Sequence, residues 1–170
     1  MSKLIVTADI HGSYTSWLIM KNYLAPSDTL VIAGDLFDTR YGNTANPDFA
    51  PEQIKTELNT LDHPFFYVYG NCDTPSFFPG FDTQITFSAF DKTLFLSHGH
   101  LSVSGPAGVD IIIQGHTHCC SLEKKGTCII MNPGSITTPR NGIHTYGVIE
   151  KNSARLMALK TGKTLMAMDF

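Results

Sequence analysis

Three short apolar runs, each stopping abruptly at a polar or glycine-rich corner, constrain the fold of this chain most. They are segments 4–8 (Leu-Ile-Val-Thr-Ala), 29–33 (Thr-Leu-Val-Ile-Ala) and 65–69 (Phe-Phe-Tyr-Val-Tyr). Their apolar residues occupy consecutive positions, which is typical of β-strands covered on both faces rather than of half-exposed strands with an alternating pattern. The sequence therefore predicts buried strands at the centre of a layered fold.

The segments between these runs have the periodicity of helices. Trp17 and Met20 belong to an apolar series with three- and four-residue steps. Ile54 and Leu58 follow the same spacing after Pro51, a residue favoured in the first turn of a helix. The first half of the chain is therefore predicted to run β-α-β-α-β.

The second half is predicted to be mostly β. Short strand patterns recur there, at 93–97, 110–114, 127–131, 146–150, 154–159 and 164–168. The connections between the first three leave no room for long helices. We therefore expect an α/β fold, or α+β sandwich, of two mixed β-sheets packed face to face and flanked by helices, with residues 1–170 forming one domain.

Composition excludes several classes of protein. With 42% apolar and 16% charged residues, the chain has the makeup of a folded protein and not of a disordered one. A net charge of -3 gives no basis for binding a nucleic-acid backbone. No apolar run approaches the roughly 18 residues of a membrane span, and the first residues lack the pattern of a signal peptide. We expect a cytoplasmic protein with no membrane and no sequence-specific nucleic acid as partner.

The four cysteines do not form a recognisable framework. They include no C-x-x-C pair, so the sequence predicts neither a disulfide-stapled fold nor a zinc site built on thiolates.

Polar motifs follow five of the predicted strands directly. In chain order they are Asp9-Ile10-His11, Gly34-Asp35 with Asp38, Gly70-Asn71-Cys72-Asp73, His98-Gly99-His100 and Gly115-His116-Thr117-His118. In open α/β sheets, sites form outside the carboxyl ends of the strands. Each motif alone is compatible with an ordinary turn, but five in succession predict a functional site at one sheet edge.

Carboxylates and imidazoles converging in a cleft are costly to desolvate unless a cation shares them. Seven ligands would crowd one metal, whereas two metals at roughly 3.5–4 Å share them with a bridging carboxylate. Asp35 is the expected bridge because it lies in the middle of the predicted sheet edge.

The five motifs resemble those of the calcineurin-like metallophosphoesterases, whose pattern runs D-x-H, G-D-x-x-D, G-N-H-[DE], H and G-H-x-H. Segments 96–100 and 132–135 are similar to the small prokaryotic phosphodiesterase branch of this family. The resemblance implies a four-layer αββα fold and a phosphodiesterase that acts on a small phosphodiester substrate. It further implies in-line attack by a metal-bridging hydroxide.

The resemblance also implies two sets of metal ligands: Asp9, His11 and His118 for one ion, Asn71, His98 and His116 for the other, and Asp35 shared between them. By the same resemblance the two divalent ions are Mn. Fe, Co, Ni or Zn would also suit nitrogen and oxygen ligands.

The chain departs from the family pattern at Cys72, where relatives have a histidine usually cast as the acid that protonates the leaving group. A neutral thiol, with a reference pKa of about 8.5, is a weak donor, which favours diesters or activated esters. His100 is a candidate to replace that acid or to contact phosphate; the alternative is a histidine on the surface or one that supports a metal ligand from behind. The expected catalytic residues are therefore Asp35, Asn71 and His100.

Other features leave alternatives open. Asp38 and Asp73 either orient the site or cap turns, and Arg140 either binds phosphate or belongs to a structural loop. Loop 39–50 is expected to line the substrate pocket. The phenylalanines of segment 74–82 predict either an apolar pocket wall or a surface for homo-oligomer formation.

A second function class also stays open. The sorting subunit of the retromer coat resembles these enzymes in fold but serves as a protein-binding scaffold with a degraded site. All seven ligand positions are filled in this chain, which favours an enzyme.

Overall fold

The computed structural model describes residues 2–101 and 105–170, which form eleven strands and two helices. In chain order these are β1 (Leu4–Thr7), α1 (Tyr14–Asn22), β2 (Thr29–Ile32), α2 (Pro51–Asn59), β3 (Phe65–Tyr67), β4 (Gln84–Ala89), β5 (Lys92–Ser97), β6 (Ile111–Ile113), β7 (Ser121–Lys125), β8 (Cys128–Asn132), β9 (Thr145–Glu150), β10 (Ser153–Ala158) and β11 (Thr164–Asp169).

The strands form two mixed sheets, as predicted. The six-stranded sheet has the order β11-β10-β9-β1-β2-β3, in which β1, β2 and β3 are parallel and the other three strands are antiparallel to their neighbours. The five-stranded sheet has the order β4-β5-β6-β8-β7, with a parallel centre and an antiparallel strand at each edge. Both sheets therefore have several parallel strands whose carboxyl ends lie at one edge.

The strands of the six-stranded sheet bury both faces, which explains their continuous apolar runs. In β1, Val6 belongs to the core between the two sheets, together with Leu94 and Ile111. Its neighbour Ile5 points to the opposite face and packs in a separate core with Trp17. Alternation along one strand thus serves two cores.

Both helices cover the same face of the six-stranded sheet. The chain steps from β1 to β2 to β3 in one direction, and right-handed crossovers then place both helices on one side. Ser13 caps α1 by accepting a hydrogen bond from the Ser16 N–H at 3.2 Å, and Pro51 opens α2 as predicted. Neither helix in the described part of the chain has the length and apolarity that a membrane crossing requires.

The described residues supply three of the four expected layers. Within 2–101 and 105–170, no helix lies on the outer face of the five-stranded sheet. Parallel neighbours such as β6 and β8 are usually joined by a crossover helix. Here the connection between them forms the edge strand β7 instead.

The phenylalanines of segment 74–82 pack against the core, and the expectation of an apolar pocket wall or a self-association surface stays a prediction. Phe77 and Phe78 contact the buried Phe37 ring with centroids 5.1 and 5.4 Å away, and Phe81 packs against Tyr67 at 5.1 Å. Since β3 is an edge strand, these rings cover apolar surface that no further strand protects.

Candidate metal centre

The predicted site residues lie where the carboxyl ends of the two sheets meet. Asp9, Asp35 and Asn71 follow β1, β2 and β3 of the six-stranded sheet, whereas His98 and His116 follow β5 and β6 of the other. The expectation of a single sheet edge is therefore wrong, because the five strands belong to two sheets. Strand β2 is central among the three parallel strands, although it is second from the edge of its sheet.

One group of potential ligands comprises Asp9, His11 and His118, whose ligand atoms lie within 4.8 Å of one another. His118 Nε2 is 3.3 Å and His11 Nε2 is 3.9 Å from Asp9 Oδ1. The two Nε2 atoms are 3.2 Å apart. Asp9 is fully buried, and its Oδ1 has no hydrogen-bond partner among the described residues.

A second group comprises Asp9, Asp35 and His98. His98 Nε2 lies 3.1 Å from Asp35 Oδ2 and 3.2 Å from Asn71 Oδ1. The same Asp35 oxygen is 4.0 Å from His11 Nε2 of the first group. Asp9 belongs to both groups, and Asp35 Oδ2 lies near a histidine nitrogen of each, as is expected of a bridging carboxylate.

His116 is brought less closely into this arrangement. Its ring centroid is 5.2 Å from that of His98, but the residue is exposed and its ring atoms belong to neither group. Its backbone N–H donates to Asp9 Oδ2 at 3.0 Å, which ties the loop that carries it to the first group.

Hydrogen bonds on the far side of three imidazole rings set their tautomers. His11 Nδ1 donates to Asp38 Oδ2 at 3.0 Å, His98 Nδ1 to the Ala33 carbonyl at 2.7 Å, and His118 Nδ1 to the Thr138 carbonyl at 2.8 Å. All three partners are acceptors, so Nδ1 holds the proton and the neutral ring presents its Nε2 lone pair.

These lone pairs point at carboxylate oxygens. A bare Nε2 lone pair of His98 or His118 repels the Asp35 or Asp9 oxygen that it faces, so each contact needs either a proton on the ring or a cation shared between the two atoms. The orphaned Asp9 Oδ1 adds a further unused acceptor. The donor set of nitrogens and oxygens therefore fits divalent metal ions.

The same contacts shift the pKa values of Asp35, His98 and His118. Burial alone would raise the pKa of Asp35, but the hydrogen bond and charge of His98, with the Cys72 N–H at 2.8 Å, hold that pKa well below its usual range. Burial opposes protonation of His98, yet its contact with Asp35 raises its pKa. The close contact with the Asp9 carboxylate likewise raises the pKa of His118. Metal binding would displace these protons.

The backbone at the site adopts a conformation that side chains usually avoid. Eight non-glycine residues in the described ranges have positive φ, and six belong to the site motifs: Asp9, His11, Asp35, Asp38, His116 and His118, with φ between 50° and 71°. Such strain of roughly 1–3 kcal/mol each tends to collect at functional sites, where the surrounding structure holds it.

Asp38 and Asp73 have different roles, which separates the alternatives left open by the sequence. Asp38 orients the His11 ring. Asp73, only 1% exposed, accepts hydrogen bonds from the backbone N–H groups of 36, 37, 38 and 70 and from the Tyr67 hydroxyl. It therefore holds together the loops that carry Asp35 and Asn71.

Cys72 and His100 both lie beside the centre. The Cys72 sulfur shares a group with His11 and Asp38 and accepts a hydrogen bond from Asn71 Nδ2 at 3.2 Å. Burial, reinforced by Asp35, raises the pKa of the Cys72 thiol, so it stays neutral. The His100 ring is 5.4 Å from that of His98, and burial with the charges of neighbouring imidazoles lowers its pKa.

Several contributors escaped the sequence reasoning. The carbonyls of Ala33 and Thr138 fix two imidazole rings, and backbone acceptors carry no side-chain signal. Ser135 donates to the Asp9 carbonyl at 2.7 Å.

Comparison with known proteins gives matches that cover most of the chain. The model of the calcineurin-like phosphoesterase superfamily domain matches residues 2–154. Phosphodiesterase YfcE of Escherichia coli (strain K12) is 31% identical over 173 residues, covering 94% of this chain and 93% of that protein. A solved structure of the E. coli phosphoesterase YfcE matches with a TM-score of 0.85 and 27% identity, covering 98% of both chains.

A further solved structure, wild-type Vps29 from Entamoeba histolytica complexed with Zn²⁺, matches with a TM-score of 0.66 and 20% identity over 98% of both chains. At that identity the likeness shows a shared fold alone.

Proposed function

Because this chain belongs to the calcineurin-like phosphoesterase superfamily, we propose that it is a phosphodiesterase whose site holds two divalent metal ions. The observation that carries the proposal is the convergence of the His11, His98 and His118 Nε2 atoms on Asp9 and Asp35, a set of nitrogen and oxygen donors that suits divalent cations. We propose Asp9, His11 and His118 as one ligand set and Asn71, His98 and His116 as the other, with Asp35 shared.

Hydrolysis needs a nucleophile, charge stabilisation and a proton for the leaving group. When bound, two divalent ions would polarise the phosphoryl oxygens and supply a hydroxide at neutral pH for in-line attack. One P–O bond forms to the water oxygen and one breaks to the leaving alcohol, so a diester and water give a monoester and an alcohol. Asp35 borders both ligand groups and Asn71 contacts His98, so these two side chains would hold the metal ligands in position around the reacting phosphoryl group.

The leaving group must gain a proton from this chain or from water. The neutral Cys72 thiol is a weak donor. The centroid of the His100 ring is 5.4 Å from that of the His98 ring. Its buried Nδ1 has no hydrogen-bond partner among the described residues. We therefore assign His100 as the acid or the phosphate contact.

We also propose a metal, a cellular location and a domain extent for this chain. Mn is the proposed ion by family resemblance, and Fe, Co, Ni or Zn suit the same donors. All four cysteines are free thiols, in keeping with a reducing cytoplasm. We take residues 1–170 as one domain, because β10 and β11 are hydrogen-bonded into the sheet that carries Asp9 and Asp35.

The test is metal-dependent hydrolysis of bis(4-nitrophenyl) phosphate by chelator-treated protein, with metal binding followed by calorimetry. We expect no turnover until Mn²⁺ or another transition metal is restored. Equal rates before and after metal addition would refute the proposal. Metal binding with no turnover of any diester would instead identify a scaffold of the retromer-subunit kind.

Substitutions test the roles of Asp35 and Asp38 separately. Asp35→Asn should lose roughly 10³-fold or more in activity and weaken metal binding, because a neutral amide is a poor bridge. Asp38→Asn, which disturbs only the His11 orientation, should lose roughly 10–100-fold. Asp62→Asn, at an exposed position, is the matched control. Parental activity and metal content in Asp35→Asn would contradict the assignment of the bridge.

A further inference from the structure

Segment 132–138, here called the connector, links the two sheets beside the candidate centre. It begins at Asn132, the last residue of β8 in the five-stranded sheet, and leads toward β9 of the six-stranded sheet. The first group of potential ligands also comes from both sheets, because Asp9 and His11 follow β1 whereas His118 lies between β6 and β7. The connector therefore joins the same two sheets that supply this ligand group.

At one point the connector is bonded to the loop after β1. The fully buried Ser135 hydroxyl donates to the Asp9 carbonyl at 2.7 Å and accepts from the Thr137 and Thr138 backbone N–H groups at 3.1 and 2.9 Å. The Thr137 hydroxyl donates to the next carbonyl of the loop, that of Ile10, at 2.9 Å. These bonds hold the backbone at Asp9, whose φ of 54° is one that side chains usually avoid.

At two further points the connector is bonded to the loop between β6 and β7. The Nδ2 group of Asn132, a residue only 2% exposed, donates to the Gly115 carbonyl at 2.8 Å and to the Thr117 hydroxyl at 3.0 Å. The Thr138 carbonyl accepts from His118 Nδ1 at 2.8 Å. The connector thus fixes both the backbone of this loop and the imidazole ring that the loop presents to Asp9.

Other ligand residues have other supports. Asp35 accepts from the Cys72 backbone N–H, and His98 donates to the Ala33 carbonyl. Among the residues that the structure describes, no hydrogen bond joins the connector to Asp35, Asn71 or His98. A change in the connector should therefore act mainly on Asp9, His11 and His118.

We propose, resting on the two-metal function above, that Ser135 and Asn132 are positioning residues that hold Asp9 and His118 together as ligands of one metal ion. Neither side chain has to touch the ion or the substrate, because each acts through the loop that carries a ligand. Without the Ser135 hydroxyl, the buried Asp9 carbonyl and two backbone N–H groups lose a partner. The Asp9 carboxylate would then be held less firmly beside His118, and the affinity for that ion should fall.

Three variants test this proposal by calorimetry with Mn²⁺. Ser135→Ala removes the bond to the loop after β1, and Asn132→Ala removes both donors to the loop between β6 and β7 without adding a charge. Thr145→Val is the matched control. Thr145 is also buried, and its hydroxyl donates to the Pro133 carbonyl at 2.7 Å. The control therefore removes the same kind of bond from the same connector but frees no ligand-bearing loop.

We expect Ser135→Ala and Asn132→Ala to bind one of two Mn²⁺ ions roughly 10–100-fold more weakly than the parent, as when other groups that orient metal ligands are removed. Thr145→Val should lose stability in urea and keep both affinities. At a Mn²⁺ concentration that fills both parental sites, the electron paramagnetic resonance spectrum of Ser135→Ala should show an isolated ion in place of a coupled pair. Parental affinities in Ser135→Ala and Asn132→Ala, or an equal loss in Thr145→Val, would overturn the proposal.

Hydrogen exchange of the metal-free protein separates this inference from the proposed function. The His116 backbone N–H donates to Asp9 Oδ2 at 3.0 Å, so its exchange, followed by NMR, reports whether the two loops stay together. It should exchange faster in Ser135→Ala than in Thr145→Val. If the parent hydrolyses no diester or binds no Mn²⁺, the proposed function fails, and this exchange difference decides the positioning role by itself. Equal exchange in the two variants would refute the role of Ser135.

Discussion

Replacing Gly70 by alanine should disable the site through the neighbouring Asp35. A Cβ at position 70 would lie 2.0 Å from Asp35 Oδ1, 2.6 Å from its Cγ and 2.4 Å from its backbone nitrogen. Gly70 does not have a positive φ, and alanine keeps the N–H that donates to Asp73. The substitution therefore isolates a steric effect on one carboxylate.

The magnitude follows from the overlap. Ordinary contacts of a Cβ begin near 3.4 Å, so Asp35 has to move by more than about 1 Å, and its backbone nitrogen cannot swing aside as a side chain would. A displacement of about 1 Å in a reacting constellation costs on the order of 10²-fold in rate. Overpacking of this kind also lowers the free energy of unfolding by about 1–3 kcal/mol.

We would measure kcat/KM on bis(4-nitrophenyl) phosphate, metal stoichiometry and urea unfolding. Gly147→Ala is the control, because its Cβ meets the flexible end of Met131 at 2.6 Å between the sheets, away from the site. That variant should lose stability and keep its activity per folded molecule. Parental activity and metal content in Gly70→Ala would refute the steric account of how Asp35 is positioned.

Two further predictions concern groups around the centre. Cys72→His should speed esters with poor leaving groups more than nitrophenyl diesters, because imidazole donates a proton that the neutral thiol does not, whereas Cys72→Ser should change kcat/KM less than about threefold. Measuring kcat/KM on a series of esters graded by the pKa of the leaving group checks this. If kcat/KM of the parent did not depend on that pKa, another group would already donate the proton. In that case His100→Ala should make the dependence steeper. Asp73→Asn should cost roughly 2–4 kcal/mol in urea unfolding, because an amide presents a donor to backbone N–H groups. Asp62→Asn should stay within about 0.5 kcal/mol of the parent, and equal stability of both variants would contradict the role given to Asp73.

The buried strands were predictable because they carry their own apolar runs. All three runs of the first half correspond to β1, β2 and β3, and both helices lie where the periodicity placed them. Strands β4 and β7 escaped prediction. Both are edge strands, and the sequence Ser-Leu-Glu-Lys-Lys of β7 has no apolar run because its stability comes from pairing with β8.

The sequence predicted which residues form the site better than it predicted how their side chains are arranged. The motifs identified Asp9, His11, Asp35, His98 and His118, which the structure brings together. His116 was expected beside them, and its ring stands farther out. The carbonyl partners that fix the imidazole tautomers depend on tertiary packing, which no local pattern encodes.

The meeting of the two sheets at the centre has a consequence for folding. His11 and His118 are 107 positions apart in the sequence, yet their Nε2 atoms are 3.2 Å apart. Contacts of such separation form only after long loops have closed, so the centre is completed late, when the sheets have docked. During synthesis the emerging chain has Asp9, Asp35 and Asn71 long before it has His98, His116 and His118. An ion that binds only the completed centre would shift the equilibrium toward the docked state by mass action, and cellular metal supply would then influence how much of the chain is folded.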